Sequence, residues 1–224
     1  MSKDTEKGLL EKLTQAVIDG NLEEAEKLTG EAIEEGFDPV EVIDSGLAKG
    51  IRIVGDKFGT MELFLPDLMM AAEAMNSGLR IVKPVILRKG ISRKSLGKVV
   101  LGTVAGDIHD LGKSIVGAFL TVTGFEVLDA GVDVPVKKFI ELVKEMKPDI
   151  LGLSALLTST LPQQREVIEA LKKAGLRDKV RVMIGGAPVT QSWADEIGAD
   201  AYAADVKEAV EIAGKLVKEA NVKC

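Results

Sequence analysis

Up to about residue 88 the apolar residues recur every three to four positions, the period of a helix with one buried face. Leu9, Leu10, Leu13, Val17 and Ile18 form one stripe. Leu22, Ala25, Leu28, Ala32 and Ile33 form a second, after the break Asp19-Gly20-Asn21. The third helix opens at Asp38-Pro39-Val40-Glu41, which offers an N-cap carboxylate, a proline at the first helical position and a capping-box glutamate, and runs to about Phe58. The fourth opens near Pro66 and is expected to end before Pro84. Four helices with short connections predict an antiparallel four-helix bundle over residues 1–88. Gly46 and Gly50, one turn apart, would let a neighbouring helix approach closely.

After a basic stretch of Arg88, Lys89, Arg93, Lys94 and Lys98, read as a solvated linker over 89–97, the pattern changes. Short apolar runs at 99–104, 126–128, 150–153, 180–184 and 201–203 read as strands, separated by amphipathic helical stretches. Residues 98–224 are therefore expected to form a Rossmann-like parallel-sheet domain with the flavodoxin-like strand order 2-1-3-4-5. In that order the loops after the first and third strands flank the topological switch point, where ligands bind. Those loops are 105–112, which holds the only histidine of the chain, and 154–160, reading Ser-Ala-Leu-Leu-Thr-Ser-Thr.

The first loop carries the candidate chemistry: Gly106-Asp107-Ile108-His109-Asp110-Leu111-Gly112. A near-neutral imidazole where a strand turns into a helix can bind a metal or shuttle a proton, and a carboxylate two residues earlier could hold it in one tautomer. The plainer alternative is a histidine that caps the helix. Gly106 and Gly112 would allow a tight turn and the approach of a bulky ligand. Gly185-Gly186, after the fourth strand, is either a plain turn or the wall of a slot. Ser154, Thr158, Ser159 and Thr160 either satisfy loop backbone or face a ligand. The stripe Phe64, Leu65, Leu68, Met69, Ala72 and Met75 on the fourth helix reads as bundle core, with part of it available to a flat apolar ligand. Trp193 and Tyr202 either pack the last helices or border the slot.

Composition narrows the classes. With 46% hydrophobic and only 4% aromatic residues, aliphatic cores are expected, and a net charge of -6 gives no general reason to bind nucleic acid. The single cysteine, Cys224, excludes an intramolecular disulfide and a cysteine metal cluster and fits a reduced cytosol. Met1 leads straight into charged residues, and no apolar run is long enough to span a bilayer. The expectation is a cytoplasmic protein without membrane partners.

These residues resemble the corrinoid-binding proteins of cobalamin-dependent methyltransferase systems of the methylamine and methanol type, and the cobalamin-binding module of methionine synthases. The match covers nearly the whole chain: Val54-Gly55-Asp56-Lys57-Phe58 and Leu63-Phe64-Leu65-Pro66-Asp67 in the bundle, and the Gly106 to Gly112 motif after it. The resemblance implies a cobalamin or related corrinoid, carried as methylcobalamin, with His109 as the lower axial ligand of cobalt. The dimethylbenzimidazole tail would leave the metal and enter a slot. The Ser154 and Thr158 hydroxyls would meet that tail, Gly185 and Gly186 would line its path, and Leu156 would also belong to the cofactor-binding residues. In the related methionine synthases a serine completes a hydrogen-bonded chain with the aspartate and histidine; the position matching it here is Thr160, whose extra methyl restricts its rotamer. The bundle in this family caps the upper corrin face, which makes Phe64 and Met69 candidates for shielding the methyl group, with a hinge expected between Pro84 and Gly97. An imidazole can come and go as cobalt changes valence, and Asp107 would tune that exchange.

The function implied is a methyl carrier of one-carbon metabolism with no independent catalytic site. A substrate-specific methyltransferase, of methylamine type by preference, would load it, a second would pass the methyl to a thiol or folate, and a reductive activation protein would restore it. The alternatives are the cobalamin-binding subunit of an adenosylcobalamin-dependent mutase, which generally lacks the preceding bundle, and a cobalamin-based sensor, which uses an additional histidine in its bundle.

Overall fold

The computed structural model describes residues 3–89 and 95–222, and the chain divides into two compact units, residues 1–94 and 95–224. The first is helical: α1 (Lys3–Ile18), α2 (Leu22–Glu34), α3 (Pro39–Glu41), a π-helical stretch (Val42–Leu47), α4 (Ala48–Gly59) and α5 (Leu65–Lys89). The backbone stays right-handed helical at Val42 and Ala48, so α3, the π stretch and α4 form one continuous helix, the third of the four expected.

Local chemistry sets the ends. Asn21 Oδ1 accepts from the Glu24 N–H at 3.1 Å, and Asp38 Oδ1 accepts from the Val40 N–H at 2.9 Å with Pro39 beside it. Caps of this kind contribute about 1 kcal/mol each. The return bond expected from Glu41 is absent among the described residues. The stripes read from sequence converge on one core: Leu13, Val17, Ala25, Val42, Leu47, Ile51, Val54 and Met75 are fully buried. A Cβ at Gly50 would lie 2.6 Å from Val17 Cβ and 2.8 Å from the Thr14 carbonyl, so this glycine does admit α1 at close range.

Two expectations need correction. α5 does not end before Pro84; it continues to Lys89 with Pro84 inside it. Val82 and Val85, on either side of the proline, are buried, while Arg80 and Pro84 are exposed. Core packing therefore continues past the lost bond, whose carbonyl belongs to an exposed residue. Arg88 and Lys89 consequently form the last turn of a helix rather than part of a linker, and Lys98 lies on β1 beside Glu126 at 3.8 Å. Arg93, Lys94 and the middle of the proposed hinge lie outside the described residues, as does Cys224. The π stretch was also unforeseen. A Cβ at Gly46, within it, would sit 2.7 Å from Leu13 Cδ2, and the Thr14 hydroxyl lies within 3.2 Å of the Leu10, Ser45 and Gly46 carbonyls.

The second unit is a five-stranded parallel sheet in the order 2-1-3-4-5. Its elements alternate: β1 (Lys98–Thr103), α6 (Leu111–Thr123), β2 (Glu126–Asp129), α7 (Val136–Met146), β3 (Ile150–Ser154), α8 (Leu161–Lys173), β4 (Arg181–Gly185), α9 (Gln191–Ile197), β5 (Ala201–Tyr202) and α10 (Val206–Val222). Side chains alternate between faces, as strand geometry requires. Val99, Leu101, Ile150 and Met183 pack with Leu120, Ala213 and Val217. Val100, Leu151, Val182 and Ile184 pack with Phe139, Ile168 and Leu171. Both faces are thus covered by helices, which explains why the strands read as continuous apolar runs. No described helix is long and apolar enough to cross a membrane.

Candidate functional site

Register brings three strand ends to one level: Thr103 pairs with Ser154, and Ser154 with Gly185. The loops that leave these ends therefore meet at the carboxyl edge of the sheet. At the start of the first loop Gly106 adopts φ +78°, a conformation that costs a side-chain-bearing residue about 1 kcal/mol or more. The turn places Asp107 inward, fully buried, and leaves His109 outward with its side chain 47% exposed.

Asp107 is saturated with donors. Its Oδ1 accepts from the His109 backbone N–H at 3.1 Å and faces His109 Nδ1 at 2.7 Å. Its Oδ2 accepts from the Leu156 and Leu157 N–H groups at 2.7 and 3.2 Å and from the Thr160 hydroxyl at 2.9 Å. Burial by itself pushes the Asp107 pKa up, but these bonds, led by the His109 side chain, outweigh it and hold the carboxyl well below the usual carboxylate range. An ionised acceptor at Nδ1 selects the tautomer with the proton on Nδ1, which leaves the Nε2 lone pair free. No hydrogen bond engages Nε2 among the described residues. The His109 carbonyl is held by the Thr103 hydroxyl at 2.8 Å.

The second loop contributes backbone as much as side chains. Leu157 precedes a turn of 3-10 helix (Thr158–Thr160), which leads into α8 and buries Thr160. The Thr160 hydroxyl also lies 2.8 Å from the Leu157 carbonyl, so its single proton serves one acceptor at a time. Its methyl points toward Gly106, where a Cβ would sit 3.6 Å away, an ordinary contact that leaves the hydroxyl free to reach Asp107. Thr158 and Ser159 are exposed and Ser154 is half-buried. Around His109 stand exposed apolar side chains: Ile108 at 75%, Leu156 at 41%, Leu157 at 40% and Leu111 at 37%.

The glycines divide. Gly186, at φ +127°, would place a Cβ 1.8 Å from the Ala155 carbonyl oxygen, so the fold itself requires glycine there. That observation gives the turn reading of Gly185-Gly186 a physical basis. Gly112 differs: it lies in the first turn of α6, and a Cβ would meet nothing within 4 Å. Asp110 precedes α6, and its carbonyl accepts from the Ser114 N–H at 2.7 Å. Trp193 donates through Nε1 to Gln164 Oε1 at 3.0 Å and lies under the Arg165 guanidinium at 4.7 Å, so it joins α9 to α8. Tyr202 packs at the margin of the same core. In the helical unit Leu68, Ala72 and Met75 are buried and Met69 is half-buried, whereas Phe64 is 69% exposed. The Phe64 N–H donates to Asp67 Oδ2 at 2.8 Å, which fixes the turn that presents its ring.

Comparison with known proteins bears on this arrangement. Residues 97–213 match the B12 binding domain family, and residues 9–83 match a second family of the same description. The dimethylamine corrinoid protein 1 of Methanosarcina acetivorans is 51% identical over 97% of this chain and 100% of its own. The trimethylamine corrinoid protein of Methanosarcina barkeri is 48% identical over 90% of this chain and 93% of its own. The chain belongs to the corrinoid proteins. Its cofactor class is accordingly a cobalamin or related corrinoid. Among solved structures, the methanol:cobalamin methyltransferase complex of Methanosarcina barkeri contains a chain 32% identical, with TM-score 0.80, covering 97% of this chain and 81% of that one.

The residues present fit such a cofactor for this corrinoid protein: an imidazole fixed through Nδ1 with Nε2 free, an apolar rim, and a glycine on α6 that packing does not demand. Two features escaped the sequence. The Leu156 and Leu157 donors are backbone groups, which carry no residue signature. Asp133 touches the motif from 27 positions away, a placement only the sheet register reveals.

Proposed function

We propose that this chain is a methyl carrier, accepting a methyl group from a substrate-specific methyltransferase and yielding it to a second one with a thiol or folate acceptor. The observation that carries the reading is the buried, donor-saturated Asp107 holding a half-exposed His109 by Nδ1. The corrinoid supplies a cobalt that both accepts and releases a methyl group. His109 would hold the cobalt through Nε2, with Asp107, itself bonded by the Thr160 hydroxyl, fixing the tautomer and orientation of the imidazole. Ile108, Leu111 and Leu156 offer an apolar bed for the ring, with Gly106 and Gly112 leaving it room. Ser154 and Thr158 present hydroxyls to the nucleotide tail, and Gly185 and Gly186 border it. Within the helical unit the exposed Phe64 and the half-buried Met69 are the candidates for shielding the methyl group.

Methylamines are the preferred methyl source. Support comes from relatives named for dimethylamine and trimethylamine at 51% and 48% identity, against 32% for the methanol system. The first two figures are too close to separate the amines. A reductive activation protein is the third partner. The test mixes reduced, corrinoid-loaded protein with mono-, di- and trimethylamine, methanol and glycine betaine, alone and with each cognate methyltransferase. Methylation of the bound corrinoid is expected only when a partner is present, and the effective partner names the substrate. Rapid, saturable methylation by the chain alone would overturn the carrier reading.

A further inference from the structure

We propose that Asp133, in the loop between β2 and α7, is a positioning residue for the His109 ligand, acting through the Gly106-Asp107 backbone. This rests on the reading of His109 as the cobalt ligand. Asp133 Oδ1 accepts from the Gly106 N–H at 2.7 Å, and the Asp133 N–H donates to the Asp107 carbonyl at 2.9 Å. The two bonds clamp the backbone on both sides of the Gly106 Cα and of the peptide joining it to Asp107. Gly106 needs such a restraint, because without a Cβ it has the widest backbone freedom of any residue, and a swing there would displace the Asp107 carboxylate.

The clamp is anchored. Ala130 donates to the Leu101 carbonyl at 2.7 Å, Thr103 to Gly131 at 3.0 Å and Val134 to Thr103 at 3.0 Å, so the loop continues the β1–β2 pairing beyond the end of β2. Asp129, at that end, accepts from the Gly131 N–H at 2.8 Å and pairs with the buried Lys113 of α6. Asp133 itself adopts φ +49°, a left-handed conformation that aspartate and asparagine tolerate better than most residues. Among the described residues its carboxylate bonds to the Gly106 loop and to nothing in its own. The side chain therefore holds the neighbouring loop rather than its own turn. A ligand imidazole needs this precision, since a site loosened by about 0.5 Å loses its productive geometry.

Two substitutions separate the acceptor from the backbone conformation. Asp133→Asn keeps an oxygen for Gly106 and tolerates the left-handed φ; Asp133→Gly keeps the φ and loses the acceptor. Each protein is made with 15N-histidine, which labels His109 alone. In the unloaded protein, exchange of the Nδ1 proton is measured by NMR; after reconstitution with hydroxocobalamin and reduction to cobalt(II), the histidine-ligated fraction is read by EPR. With Asp133→Gly, Nδ1 exchange should quicken and the ligated-to-unligated ratio should fall, each about five-fold, as expected for one lost hydrogen bond. Asp133→Asn should stay within about two-fold of the original protein, well short of that loss. Asp133→Ala, which adds backbone strain, should lose at least as much as the glycine variant, and it repeats the test should the glycine variant fold poorly. Unchanged values in the glycine or alanine variant, or equal losses in the asparagine and glycine variants, would overturn the proposal. If the unsubstituted protein shows no histidine nitrogen on the metal, the reading of His109 fails, while the exchange comparison still decides whether the clamp holds the imidazole.

Discussion

Asp107 concentrates the energetics of the site in one side chain. Replacing it by asparagine turns an NH2 group toward donors that need an acceptor, His109 on one side or Leu156 and Leu157 on the other. An unsatisfied buried donor costs about 1–3 kcal/mol, and Asp107→Asn should lose that much stability near neutral pH. The pH dependence has a definite sign. The folded pKa lies below the unfolded value, so the carboxylate's contribution is fully present above about pH 4, the unfolded value, and is lost as pH falls below it toward the folded pKa. Urea titrations of the unloaded proteins should show the two converging as pH drops from 5 to 3; a constant gap would mean that Asp107 is not held ionised by its partners. Gly112 makes the opposite case. Gly112→Ala should leave the unloaded protein as stable or more stable, by up to about 1 kcal/mol of helix propensity. The bulkier Gly112→Leu should also fold normally and yet bind hydroxocobalamin at least about ten-fold more weakly, a loss of roughly 1.4 kcal/mol. Undiminished binding would remove α6 from the cofactor's path.

Among the elements, close helix packing yields a paired prediction. A Cβ at Gly50 would press on Val17 and on the Thr14 backbone, whereas one at Gly30 would meet nothing. Gly50→Ala should therefore cost about 1–3 kcal/mol through overpacking, and Gly30→Ala should gain about 0.5–1 kcal/mol. Similar effects at both sites, measured by thermal unfolding, would contradict the packing described. The strands were legible in sequence because runs such as Val99-Val100-Leu101 are apolar on both faces and bounded by glycine or charge. The π stretch and the passage of α5 through Pro84 were not legible, because their causes are tertiary: Leu13 against Gly46, and Val82 and Val85 buried on either side of the proline. The site divides in the same way. Asp107 and His109 announce themselves by spacing along one loop. The Leu156 and Leu157 amides and the Asp133 clamp exist only because β1, β2 and β3 lie side by side.

At the scale of the whole molecule, every donor to Asp107 among the described residues comes from the second unit, so the His109 geometry belongs to that unit's fold. Ligand linkage makes this measurable. With hydroxocobalamin at a hundred times its Kd, the folded state gains about 2.7 kcal/mol. Melting of the loaded protein should rise accordingly, and His109→Ala should retain the fold of the unloaded protein while losing part of that rise. An equal rise in both proteins would place the binding energy elsewhere. The most direct test of the central claim uses the fact that His109 is the only histidine in the chain. Protein grown with 15N-histidine, reconstituted with hydroxocobalamin and reduced to cobalt(II), isolates one nitrogen in an EPR spectrum. If His109 Nε2 is the axial ligand, the nitrogen splitting changes from the triplet of 14N to the doublet of 15N. A triplet that persists with labelled histidine would leave the cofactor's own base on the metal and contradict the account.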